Sequence, residues 1–120
     1  MNEISASQLR ELLIYDPDTG AWEPVEPMNQ SRYGHTTTRL SSGLVMVTGG
    51  VQITTDGTER FLADTEVYDP VSENWSVIAP LLMPRAFHAA LFLSDGRLLV
   101  MGGMDSQGVP QAGSEIFIPK

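Results

Sequence analysis

Residues 15–50 are written a second time as residues 68–103, at a constant offset of 53, with 13 of the 36 aligned positions identical. Tyr15-Asp16-Pro17 meets Tyr68-Asp69-Pro70, Trp22 meets Trp75, and Pro27 meets Pro80. Further along, Arg32 meets Arg85, His35 meets His88, Gly43 meets Gly96, and Gly49-Gly50 meets Gly102-Gly103. A period near 50 residues belongs to arrays of supersecondary units, each of which buries its apolar surface against its neighbours. Any fold for this chain must therefore contain two equivalent units.

Composition narrows the rest. With 42% hydrophobic residues the 120-residue chain is globular rather than disordered. Its net charge of −8 argues against nucleic acid or an anionic membrane as partner, since both reward clustered Lys and Arg. There is no cysteine, which removes disulfides and thiolate metal sites. No run approaches the roughly 20 apolar residues of a membrane span. The opening Met1-Asn2-Glu3-Ile4-Ser5 lacks the basic and apolar regions of a secretory signal, so no signal peptide is expected; the compartment is left open, with the cytoplasm favoured.

Along the chain, a short helix or loop to about Arg10 is expected, then a strand from Leu12. The turn Asp16-Pro17-Asp18-Thr19-Gly20 leads into a short strand carrying Trp22, because Pro presets φ and Gly20 admits φ > 0. The Thr-rich segment 33–40 suits a half-buried pleat. Ser41-Ser42-Gly43 turns it into Leu44-Val45-Met46-Val47-Thr48, which is apolar at successive positions and should be covered on both faces. Segment 51–63 is polar around Asp56-Gly57 and reads as a long loop or extended hairpin. The second copy repeats the scheme through 86–93, the hairpin signal Ser94-Asp95-Gly96 and the buried strand Leu98-Leu99-Val100-Met101.

Four short antiparallel strands at this period build a propeller blade. The diglycines, Glu66-Val67-Tyr68-Asp69-Pro70 with Trp75, and Arg-x-x-His at 32–35 and 85–88 together resemble the kelch repeat family over residues 11–119. Leu13 stands where the family has Glu, and Phe117-Ile118-Pro119 replaces Tyr-Asp-Pro. The resemblance implies an all-β chain of about two kelch-type β-propeller blades, with strands a to d running outward from an axis. An N-terminal extension, 1–10, would precede two kelch repeats in 11–120. These comprise strands c and d (12–16 and 21–26, within 11–26), a blade over 32–79 and a partial blade over 85–119. In the full blade, a, b, c and d would be 33–40, 44–48, 64–69 and 74–79; in the partial one, a, b and c would be 86–93, 98–102 and 113–118. Two blades do not close a ring, which takes at least about 4. Closure would then come from head-to-tail association into a trimer or tetramer, or from further blades of a longer chain; an unclosed two-blade module is the remaining alternative.

Most conspicuous residues have a structural reading. Gly49, Gly50, Gly102 and Gly103 allow close backbone approach. Tyr15, Tyr68, Trp22 and Trp75 are expected to pack blade against blade, with sugar stacking as the alternative for a Trp. His35 and His88 are expected to bond a backbone carbonyl. Glu66 and Glu115 are expected to pair with arginine within or between blades. The candidate binding rim is Arg32, Arg85, Tyr33, Phe87, Asp56, Asp105 and Gln107, with Met28, Leu81, Leu82 and Met83 as an apolar element. Arginines at this place in some kelch propellers bind acidic peptides. Three functions follow: a non-catalytic module binding a protein or peptide, a multivalent glycan-binding ring, or a non-catalytic piece of a larger kelch-containing enzyme. The Tyr–Cys cofactor of kelch-type copper oxidases is out of reach without cysteine, and no cofactor or metal is expected.

Overall fold

The computed structural model describes residues 13–24 and 27–118. The expected N-terminal helix or loop, the strand start at Leu12, the end of the second strand at 25–26 and Pro119 lie outside the described residues. The described residues are all strand and turn, with no helix to cross a membrane.

The first unit forms a four-stranded antiparallel sheet. β1 (Leu13–Asp16) and β2 (Ala21–Pro24) precede it as a separate pair. The sheet comprises β3 (Thr36–Arg39), β4 (Val45–Thr48), β7 (Thr65–Asp69) and β8 (Asn74–Ile78), in that spatial order. The expected polar insertion is a hairpin of its own, β5 (Val51–Ile53) with β6 (Glu59–Phe61), turning at Asp56-Gly57. The second unit repeats the first three strands: β9 (Ala89–Phe92), β10 (Leu98–Met101) and β11 (Ser114–Phe117). The tight turns close alike, with Gly43 and Gly96 at φ 93 and 90. Leu40 and Leu93 each receive the glycine amide.

Several strands are shorter than their sequence suggests. The innermost ones begin at 36 and 89 rather than 33 and 86, because Gly34 (φ 67) and Phe87 (φ 57) are left-handed and interrupt the pleat. Tyr33 and Ala86 keep isolated bridges to Val51 and Met104 instead.

The sheets stack face to face in tandem. In the first, Met46 pairs with Thr38 and Val67, so one face carries Leu40, Met46 and Val67. In the second, Leu98 pairs with Phe92 and Phe117, and Val100 with Ala90 and Glu115. These two faces meet, and Leu40, Met46, Val67, Leu81, Leu98 and Val100 form the core. β4 is covered on both sides as expected, with Met46, Val47 and Thr48 buried. β10 departs from its expectation: Leu98 and Val100 are buried, but Leu99 and Met101 turn to a half-covered face. The tyrosines and tryptophans also pair within each sheet. Tyr15 pairs with Trp22 and Tyr68 with Trp75 across strands of the same sheet, with ring centroids 5.1 and 5.2 Å apart. Register explains this, since directly opposed residues share a face.

Leu98→Ala, which opens a cavity in the core, is expected to cost about 2–5 kcal/mol. Leu91→Ala, on the uncovered face, should cost less than about 1 kcal/mol. Urea denaturation of the two variants checks the assignment, and equal losses would contradict it.

Candidate functional site

Each Arg-x-x-His motif turns its arginine inward. The Nη2 atom of Arg32 donates to Glu66 Oε2 at 2.8 Å, and its Nη1 donates to the carbonyls of Gly49 (2.9 Å) and Asp64 (3.0 Å). Arg85 repeats this with Glu115 Oε2 at 2.9 Å and the carbonyls of Gly102 (3.1 Å) and Gly113 (2.9 Å). The carboxylates also hold the loops entering strands β3 and β9. Glu66 accepts the amides of Asn29 and Gln30, and Glu115 those of Leu82 and Met83. Both arginines are about 1% exposed, so their guanidinium groups staple each sheet and are not offered to the rim. Met28 and Leu81 are buried as well, which leaves Leu82 and Met83 as the exposed part of the expected apolar element.

The diglycines join the sheets. A Cβ at Gly49 would lie 2.5 Å from the His88 ring and 2.6 Å from the Arg85 carbonyl oxygen, so only glycine lets the second sheet come this close. Across this seam the Gly50 amide donates to the Arg85 carbonyl (2.9 Å) and the Phe87 amide to the Gly34 carbonyl (2.7 Å). The Arg85 amide donates to the Leu62 carbonyl at 3.2 Å. His88 Nε2 meets the Thr36 hydroxyl at 2.9 Å. Burial, then the Arg85 charge, then His35 hold the His88 pKa down to about 4. Burial and Arg32 lower His35 in the same way. Among the described residues no three His, Asp or Glu side chains gather to hold a metal.

Over this seam lie Tyr33 and Phe87, edge to face with centroids 6.1 Å apart. Phe87 is 55% exposed and carries φ 57, where the repeat places Gly34 at φ 67. A Cβ on Gly34 would meet the Phe87 ring at 2.9 Å, so that glycine gives the ring its place. Burial, then the nearby carboxylate of Glu59 on β6, raise the Tyr33 phenol's pKa. Asp56 caps the β5–β6 turn, its Oδ1 taking the Thr54 and Thr58 hydroxyls and the Thr58 amide, and its pKa falls to about 2. Asp105 Oδ1 accepts the amides of Gln107 and Val109 in the same manner, with the Gln107 side chain exposed. Tyr33 and Phe87 therefore come together, whereas Asp56 and Asp105 shape two separate turns. Glu59 and Gly34 escaped the sequence reading. The visible signal was the alignment of Phe87 with a glycine.

This geometry has relatives. No protein-family model matches the chain. Kelch-like protein 35 of Mus musculus is 35% identical over 112 residues, which cover 92% of this chain and 18% of that protein. Kelch-like protein 36 of Bos taurus is 30% identical over 95 residues, 78% of this chain and 15% of the relative. The chain belongs to the kelch repeat family. The influenza virus NS1A-binding protein homolog of Mus musculus is 33% identical over 102 residues, 82% of this kelch chain and 15% of that protein. The kelch chain thus spans less than a fifth of the length of these relatives. The solved structure of YjhT matches 71% of it with a TM-score of 0.63 at 22% identity, covering 24% of that chain, a likeness of fold. The sheets β3-β4-β7-β8 and β9-β10-β11 are kelch-type propeller blades.

Arg32→Met leaves Glu66 buried without its cation and is expected to cost about 3–5 kcal/mol in urea denaturation. A loss below about 1 kcal/mol would show the staple to be dispensable. The histidines predict a pH dependence. An imidazole with a folded pKa below its unfolded value of 6.5 stabilises fully above that value, and its contribution falls as pH drops toward the folded pKa. Between pH 6.5 and 5 the chain should lose stability, and His88→Gln should flatten the loss by up to about 1.4 kcal/mol per pH unit. Parallel profiles for the two proteins would remove His88 as a source.

Proposed function

We propose that this kelch chain is a non-catalytic propeller module that binds a protein or peptide segment over the seam at Tyr33 and Phe87. Tyr33 bridges Val51 of the β5–β6 hairpin, and Ala86, next to Phe87, bridges Met104 of loop 104–112. The observation that carries this reading is Phe87 itself. A non-glycine residue held left-handed costs of order 1–3 kcal/mol. Here it leaves an aromatic ring 55% exposed at a position where the other repeat uses glycine. Burial does not repay that cost, whereas a partner's side chain on the ring would, since aromatic anchors dominate binding energy at interfaces. The net charge of −8 and Glu59 beside Tyr33 favour a partner segment with a basic side chain, which the ring faces also attract.

The arginines give no direct support to capture of acidic peptides, because both are buried against glutamates. A glycan-binding ring would present equivalent shallow sites. Instead Trp22 is 65% exposed while Trp75 is half-buried, so the two copies differ.

Phe87→Gly separates binding from folding. The variant should melt at the same or a higher temperature, because the strain is relieved, yet bind a peptide array at least about tenfold more weakly. The lost spots should be rich in Arg and Lys. Array binding that survives the substitution unchanged would refute the site.

A further inference from the structure

The seam between the two sheets uses one half from each, and the chain carries a second, unused set of both halves. On the first sheet the receiving half is Gly49, the Gly50 amide and the Leu62 carbonyl. The second sheet repeats it as Gly102, the Gly103 amide and Gln111. Gly102 has nearly the backbone of Gly49, φ 73 against 70. The local scaffold matches too: the Leu62 amide donates to the Gly50 carbonyl at 2.8 Å and the Gln111 amide to the Gly103 carbonyl at 2.8 Å. Yet a Cβ at Gly102 would meet nothing within 4 Å. Among the described residues the Gly103 amide has no acceptor.

The inserting half on the second sheet is the Arg85 backbone with Phe87 and His88. Its copy on the first sheet is Arg32, Gly34 and His35. Among the described residues the Arg32 carbonyl accepts no hydrogen bond and the Gly34 amide donates none. Apolar surface points the same way. The face of β9–β10–β11 turned away from the core carries Leu91 (54% exposed), Leu99, Met101 and Ile116 (55%). By register these residues stand where Thr38, Met46, Thr48 and Val67 stand on the first sheet, whose face is covered.

We infer that the second sheet receives the Arg32–His35 segment of a second copy of this chain, head to tail, through a seam equivalent to the internal one. The Arg32 carbonyl of the incoming copy takes the Gly103 amide, its Gly34 amide reaches the Phe87 carbonyl, and its His35 ring lies on Gly102. One bond of the internal seam is not reproduced. Thr36 is matched by Ala89, which has no hydroxyl for His35, so the seam between copies is weaker than the one within the chain. β1 occupies, beside β2, the place that β11 of the other copy would take, and it holds that place weakly. Leu13 stands where β7 and β11 carry their paired glutamates, and a two-stranded sheet alone is marginally stable. The contact joins unlike surfaces, so it can add further copies.

Two measurements decide. Light scattering over a concentration series should show the mass rising to at least twice that of one chain. It should rise further with salt, because each copy carries −8 and the seam contains no ion pair between copies. Leu91→Asp with Ile116→Lys, both at exposed positions, should restore the single-chain mass while the chain keeps its folded β-sheet circular-dichroism spectrum. The chain has no cysteine, so the pairing itself can be tested by mixing Leu91→Cys with Thr37→Cys and adding a short bismaleimide. These positions match Thr38 and Ala90 on the facing surfaces of the internal seam. A crosslinked dimer should form in the mixture and not in either variant alone. A constant single-chain mass overturns the inference, whether another partner or nothing covers the face. A rising mass without that crosslink overturns it equally, because the copies then meet elsewhere.

Discussion

Two backbones approach within hydrogen-bond distance across the sheets because Gly49 and Gly50 carry no side chains. Gly50 donates to the Arg85 carbonyl, and the His88 ring lies where a Gly49 side chain would be. The rest of the architecture follows from that contact. The innermost strands β3 and β9 are drawn together, and the core of Leu40, Met46, Val67, Leu98 and Val100 closes between the sheets. The same approach carries Phe87 over Gly34 and so builds the aromatic pair. Any β-carbon at Gly49 would push the second sheet away and dissolve core and candidate site together.

Charge serves the scaffold here. Arg32–Glu66 and Arg85–Glu115 are buried, and every glutamate oxygen also accepts a backbone amide. These amide bonds use the carboxylates' remaining hydrogen-bonding capacity and so offset part of the pairs' desolvation cost. Among the described residues the Nε of Arg32 and of Arg85 is buried without a partner. The arrangement locks each incoming loop to the strand two places outward, and it consumes the groups that could have recognised an acidic ligand. The proposed recognition surface is instead the uncharged ring pair on the seam, with Glu59 near Tyr33.

Much of this was legible in the chain. Period, turn glycines and alternation marked the hairpins, because such signals act between near neighbours and hardly depend on the remainder of the fold. The pairing of Tyr68 with Trp75 was not legible, since it depends on the register of β7 against β8. Inner strands came out short because left-handed residues at 34 and 87 are set by the neighbouring sheet. Arg32 and Tyr33 are adjacent in sequence, and nothing local says that one is buried and the other is not.

The sequence by itself determined that two like units exist, where each turns, and which residues form the kelch pattern, because a repeat is a property of residue order. Only the tertiary structure decided that the arginines face inward, that Phe87 stands exposed under strain and that Gly49 is filled while Gly102 is open. Burial and pairing are fixed by atoms that lie 17 to 52 positions away along the chain.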